Sequence, residues 1–373
     1  MKKIKLATVF SGIGAVEFAL KRLHCDYEIV FACDNGEREI AYNDYELEKV
    51  KTLGSIDEKQ KYVEELYLKK TRCKNFVKES YLANYDCPSN RYFEDIKLLD
   101  GTDFHNEVDL FVGGSPCQSF SIVGDRLGLA DARGTLFYEY TRLIKEIQPK
   151  VFIYENVRNL QNHDNGKTWK VIKNSFKELN YKIYPAILNA SNYGIPQTRR
   201  RMFVVGFKNY DGSFEMPPMY KELRYVMKDF TINNCDYGNF IFDDAGEIKI
   251  INKGGIVDPS YILSPKIYAY VMKGGTKNFY TKPQINLEIA RTLLKTMGNH
   301  HRAGIDNYVS FDGTENLGSV RMLTEREVHR LMGFTDDYKI VVSKGQAYKQ
   351  AGNSIVVDVL MAILKEIFKT NAI

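Results

Sequence analysis

An apolar run at residues 4–10 gives way to a glycine-containing turn and then to Val16, Ala19, Leu20 and Leu23 at helical spacing, so the chain opens strand, loop, helix. Residues 28–32 read as a second strand that ends at Asp34. Strand patterns recur at 108–112, 151–154, 183–188 and 202–206, with helical stretches near 136–147 and 167–179 between them. This alternation predicts an α/β fold built on a doubly wound, mostly parallel sheet with helices on both faces. In such a sheet, ligands sit at the carboxyl ends of the strands.

The pattern changes from about 208 to 320, where Tyr, Gly, Asn and short β-like runs replace the alternation. Apolar positions 355, 356, 359, 360, 363, 364 and 367 then form one face of an amphipathic helix. The shift in pattern predicts a second, smaller, irregular β-rich domain over 208–339, with 1–207 before it and 340–373 after it. At 373 residues the chain is long enough for both. The stretch 44–80 is helical in composition and rich in both charges, and it reads as a solvated insertion lengthening one crossover.

The six cysteines show no C-x-x-C spacing, so neither a disulfide framework nor a metal site is expected, and a reducing cytoplasm fits best. The N-terminal apolar stretch is too short for a signal peptide, and no later run approaches membrane-spanning length. Net charge is +5, and between Lys253 and Arg302 eight Lys/Arg face only Asp258 and Glu288, which marks a candidate phosphate-facing surface.

Five short signals carry the chemistry: Phe10-x-Gly12-x-Gly14, then Gly114-Ser115-Pro116-Cys117-Gln118 after an apolar run, Glu155-Asn156-Val157 after another, Gln197-x-Arg199-x-Arg201, and Gly352-Asn353-Ser354. A Gly-Gly turn presents the Cys117 thiol where a strand ends, the position of a reagent. In this set and order the chain resembles the DNA (cytosine-5) methyltransferases, of the prokaryotic or phage modification type. The likeness spans nearly the whole length. It implies a Rossmann-like methyltransferase fold, S-adenosyl-L-methionine as cofactor with S-adenosyl-L-homocysteine as product, and a specific short duplex DNA target whose cytosine is flipped out. It also implies a monomer, free of membranes and nucleoid-associated in a prokaryote, with a cognate restriction endonuclease as a candidate partner.

Carbon 5 of cytosine is a poor nucleophile until the 5,6 double bond is saturated, so the resemblance assigns Cys117 to attack C6 and turn C5 into an enamine carbon. Negative charge then builds on N3 and O2. The resemblance assigns Glu155 to N3 and the exocyclic amine, Arg201 to O2, and Arg199 to ordering the site. A carboxyl that donates at neutral pH needs an elevated pKa from burial. For the cofactor the resemblance marks Phe10, Gly12 and Gly14 as the first loop, Asp34 for the ribose hydroxyls, Asp95 and Ile96 for adenine, and Asn353 and Ser354 to close the pocket. Thr8 stands where the family usually has Asp, and Ala15 replaces the second Gly of a pair. Gln118 and Arg126 in the Gly-rich segment after Cys117, with Gln197, Thr292 and Leu293, are the expected DNA contacts.

Three other readings compete. A tRNA cytosine-5 methyltransferase would keep the fold and chemistry, and a long recognition region favours DNA over it. An inactive nucleic-acid-binding relative is opposed by intact Cys117, Glu155 and Arg201. An NAD-dependent oxidoreductase is opposed by the poor match of Gly12-x-Gly14-x-Val16-Glu17 to G-x-G-x-x-G.

Overall fold

A computed structural model describes residues 3–116, 136–219, 222–276, 279–298 and 303–373. The first part contains strands β1 (Ile4–Val9), β2 (Tyr27–Cys33), β3 (Tyr92–Phe93), β4 (Leu110–Gly113), β5 (Val151–Val157), β6 (Tyr181–Asn189), β7 (Gln197–Thr198) and β8 (Arg200–Lys208). Between them run helices α1 (Ala15–Arg22), α2 (Asp44–Thr52), α3 (Ile56–Lys70), α4 (Phe76–Asn84), α5 (Leu136–Ile147) and α6 (Lys167–Glu178). Seven strands form one sheet in the order β3-β2-β1-β4-β5-β8-β6. Its pairs are parallel except those of β8, which is antiparallel to both β5 and β6.

Side chains alternate across the sheet, as strand geometry requires. Leu6, Val151, Ile153, Phe203 and Val205 belong to the core on one face, while Ala7, Val9, Phe111, Phe152, Tyr154 and Val204 pack with α5 and α6 on the other. Burial on both faces is why these strands read as near-continuous apolar runs.

The second part is built from short pieces: hairpin β9 (Phe240–Phe242) with β10 (Ile248–Ile250), α7 (Pro265–Val271), β11 (Gly275–Thr276) with β12 (Phe279–Tyr280), β13 (Ala290–Arg291), and β14 (Tyr308–Ser310) with β15 (Val320–Met322). Leu263, Val271, Ile285, Ala303, Tyr308 and Val320 give it a small core of its own. Met227, Phe230, Phe240 and Ile248 instead join the core over α1. Three helices close the fold: α8 (Glu325–Arg330), α9 (Lys344–Asn353) and α10 (Val357–Lys369). The segment from Arg321 to Gly333 is bound by buried polar groups, with Arg321 on Glu327 and Arg330 on Asp336. Among the described residues, no helix is long and apolar enough to cross a membrane.

Residues 44–80 depart from the expected solvated insertion. Capping boxes at Asn43/Glu46 and Ser55/Glu58 start α2 and α3. Val50, Val63, Leu66 and Tyr67 then bury one face against Leu98, and Lys59 pairs with Asp100 and Asp103. Charge density masked an apolar stripe.

The terminal helix returns to the first one through a fully buried guanidinium. Arg22 grips both oxygens of Asp358 at 2.9 Å and donates to the carbonyls of Gly246 and Gly333. Removing one partner strands the other charge in the core. Asp358→Ala is expected to cost about 3–5 kcal/mol, read as a shift in the denaturant midpoint at unchanged m-value.

Candidate active site

Every element of the site lies at one edge of the sheet. After β1 the backbone takes positive φ at Phe10 (52°), Gly12 (55°) and Gly14 (75°), a tight bend that ends at the N-terminus of α1. The Tyr85 hydroxyl donates to the Gly14 carbonyl at 2.6 Å, and its ring lies 2.1 Å from where a Gly14 Cβ would be, so only glycine fits there. Asp34, at the end of β2, accepts from Gly12 N at 2.9 Å and Gly36 N at 2.8 Å and so staples the two strand-end loops together. Burial pushes its carboxyl up, against those two hydrogen bonds. Asp95 accepts from the buried Tyr67 hydroxyl at 2.8 Å and from Lys97 N, beside buried Ile96.

The turn after β4 is clamped to β5. Asn156 donates to the Ser115 carbonyl at 2.8 Å, and the Tyr154 hydroxyl lies 2.8 Å from both Ser115 Oγ and Asn156 Nδ2. A Cβ on Gly114 would sit 2.8 Å from the Glu155 carbonyl oxygen, so the turn passes directly against Glu155. Antiparallel register sets Glu155 opposite Phe203 and Val157 opposite Arg201, which puts Glu155 and Arg201 diagonally adjacent on one face. They form an ion pair at 3.2 Å with side chains 15% and 19% exposed. Burial raises the Glu155 carboxyl above its ordinary range, while Arg201 and then Arg199 pull it back. The site therefore holds an acid that burial pushes up from its ordinary value, next to a cation.

Arg199 reaches across rather than outward. It is 4% exposed and donates to the carbonyls of Leu293 (2.9 Å), Gly352 (2.9 Å) and Ser354 (2.8 Å). Burial and the adjacent Arg201 push its guanidinium down from its ordinary range. Gln197, expected at the DNA, is fully buried: its amide donates to the Leu331 carbonyl and accepts from Leu293 N. Leu293 is also buried, whereas Thr292 is part-exposed and donates to the Thr198 carbonyl. These contacts follow from β13 pairing alongside β7, Ala290 opposite Gln197. A Gly352 Cβ would lie 2.4 Å from the Leu294–Lys295 peptide, so the glycine lets the tail pass against the segment after β13.

Sequence reasoning missed Glu37. It receives Asn353 Nδ2 at 2.8 Å, Lys349 at 2.7 Å and Lys295 at 3.3 Å, joining the loop after β2 to α9 and to the segment beyond Thr292. Its only trace was its place three residues after Asp34 in an Asn-Gly turn. Tyr154 was missed because a tyrosine inside an apolar run reads as core. Cys117, Gln118 and Arg126 lie outside the described residues.

One reversed strand among seven, with glycine loop, acids and guanidinium gathered at a single edge, defines a Rossmann-like methyltransferase. The S. pombe Dnmt2 methyltransferase has the same fold, with TM-score 0.64 at 17% identity over 99% of both chains. The C-5 cytosine-specific DNA methylase profile matches residues 68–369. The chain is 34% identical over 307 residues to the type II methyltransferase M1.ScrFI of Lactococcus lactis subsp. cremoris, covering 79% of this chain and 70% of that protein. It is likewise 34% identical to the type II methyltransferase M.HpaII of Haemophilus parainfluenzae over 79% of this chain and 80% of that one. The chain belongs to the C-5 cytosine-specific DNA methylases and is a DNA cytosine methyltransferase.

Because the turn after β4 touches Glu155, Gly114→Ala displaces the acid. Single-turnover methyl transfer should fall about 100-fold, the usual cost of misplacing a reacting group by about 1 Å.

Proposed function

We propose that the chain methylates C5 of a flipped-out cytosine in one specific short duplex sequence, by way of a transient bond between Cys117 Sγ and C6. The observation that carries this reading is the Glu155–Arg201 pair packed against the turn that leads into position 117. The thiolate adds to C6 and the ring's electron pair moves toward N3 and O2. Glu155, with its elevated pKa, supplies a proton or hydrogen bond at N3, and Arg201 balances charge at O2. Arg199 ties together the two stretches of backbone at Leu293 and at Gly352–Ser354.

The residues at the strand ends suit S-adenosyl-L-methionine. A Cβ on Gly12 would meet nothing closer than the Phe10 carbonyl at 3.9 Å, so the Phe10–Gly14 bend leaves open space before the N-terminus of α1, and Asp34, Asp95, Ile96, Asn353 and Ser354 are the further residues that would hold the cofactor. When bound, the cofactor supplies an electrophilic methyl sulfonium. The chain's own residues hold the loop, exclude water and orient the base.

Residues 1–207 with 340–373 act as the catalytic part in this reading and 208–339 as the recognition part. Thr292 stands beside the site, and the basic stretch 253–302 meets phosphates. A monomer acting on DNA in the cytoplasm, at the nucleoid, with a cognate restriction endonuclease reading the same sequence, belongs to the same proposal.

Cys117→Ser is expected to abolish turnover and leave cofactor binding nearly intact, measured by tritium transfer and calorimetry. Duplex carrying 5-fluorocytosine should give a mass-shifted covalent adduct, since fluorine cannot leave C5 as a proton does; no adduct refutes the covalent step. Tritium incorporation into duplex DNA and not into tRNA decides the polymer. Six phosphate contacts would weaken DNA binding by about a thousandfold between roughly 50 and 200 mM salt, and a flat response moves the DNA surface elsewhere.

A further inference from the structure

Glu17, in the first turn of α1, is fully buried behind the glycine bend and has no role in the chemistry above. Its Oε1 accepts from the Tyr81 hydroxyl at 2.6 Å and from the Thr8 hydroxyl at 3.2 Å. Its Oε2 has no hydrogen-bond partner among the described residues. From Thr8 the contacts run on: Thr8 Oγ1 lies 2.8 Å from Ser11 Oγ, and Ser11 Oγ accepts from the Cys33 amide at 3.0 Å.

A string of hydroxyls has two possible directions, and a terminal group that only accepts selects one. With Glu17 accepting from Thr8, Thr8 Oγ1 is left as an acceptor for the Ser11 hydroxyl, which also has the Cys33 carbonyl within reach at 3.2 Å, and the Cys33 N–H donates to Ser11. Burial pushes the Glu17 carboxyl up from its ordinary value. A proton taken up sits on the unpartnered Oε2, so Oε1 remains the acceptor in either state.

The string ends where the cofactor loop begins. Ser11 N also donates to the Cys33 carbonyl, and the next residue, Gly12, donates to Asp34. Ser11 is thereby fixed to the end of β2 through both backbone and side chain, one residue from Asp34.

We propose that Glu17 is a positioning residue for the cofactor loop, holding the Phe10–Gly14 bend against the end of β2 through Thr8 and Ser11. This rests on the reading of that bend as the S-adenosyl-L-methionine site. It also accounts for Thr8: the hydroxyl is a relay, and the carboxylate that strand β1 lacks is supplied from α1.

Three variants test it, each with its melting temperature recorded beside steady-state kinetics. Glu17→Gln keeps a carbonyl acceptor, Glu17→Leu removes it, and Thr8→Val cuts the next link while leaving the buried acid in place. Glu17→Leu and Thr8→Val are expected to raise the cofactor KM about tenfold, with the DNA KM and kcat at saturating cofactor unchanged to within about twofold. Glu17→Gln should stay within about twofold of the parent throughout. The double variant should be no worse than either single one, because both cut one string.

If Glu17→Leu fails to fold, Thr8→Val against Glu17→Gln decides. Folded variants with unchanged cofactor KM, a Glu17→Gln as impaired as Glu17→Leu, or equal losses in the cofactor and DNA KM values each overturn the relay. A parent protein that binds no S-adenosyl-L-methionine by calorimetry overturns the cofactor reading and this proposal with it. A binding parent with unaltered variants overturns the relay alone.

Discussion

The site depends on the direction of one strand. In an all-parallel sheet the carboxyl ends line one edge and the amino ends the other, so an arginine at the start of a strand would lie a full strand length from an acid at the end of its neighbour. Because β8 runs backward, its first residue region returns to the edge where β5 finishes, and Arg201 meets Glu155 with no loop intervening. Sheet hydrogen bonds fix that register. A charge pair held by backbone geometry loses little side-chain freedom on forming, which suits a site that needs its donors already in place.

Arg199 turns the same edge into a junction. Its guanidinium satisfies three carbonyls, at Leu293, Gly352 and Ser354, from two distant stretches of chain. A buried cation is costly unless its donors are used, and the carbonyl cradle engages Nη1 and Nη2 without a counter-charge in direct contact, leaving Nε unpartnered among the described residues. Gln197 repeats the device with a neutral amide, between Leu293 and Leu331. The Gln-x-Arg-x-Arg motif therefore divides its labour along the strand: Gln197 and Arg199 bind the fold together, and Arg201 is left facing the acid.

Most of the sheet was readable in the sequence because burial on both faces leaves apolar runs that water-exposed structure does not produce. The run at 151–154 ended early, since β5 continues through Glu155–Val157, and the site acid interrupts the very pattern used to find the strand. Gln197 was misjudged for a related reason: polarity suggests surface, but an amide whose donor and acceptor both find partners sits comfortably in a core. Leu293 could not be told from an ordinary core leucine. The helices at 44–80 hid a narrow apolar stripe among charges. Glu17 entered the sequence reading only as a mismatch to G-x-G-x-x-G, and nothing in its neighbours along the chain pointed to Tyr81. Contacts between residues far apart in sequence left no local trace.

The bond between Arg22 and Asp358 joins positions 336 residues apart. During synthesis the Arg22 guanidinium waits, together with the apolar face of α1 that α10 will cover, until the 336 residues up to Asp358 have followed. Closing so long a loop is slow, and a nascent chain exposes that face throughout. A truncated product thus displays an uncovered first helix directly behind its glycine bend, a surface for chaperones and proteases to act on before any DNA is modified.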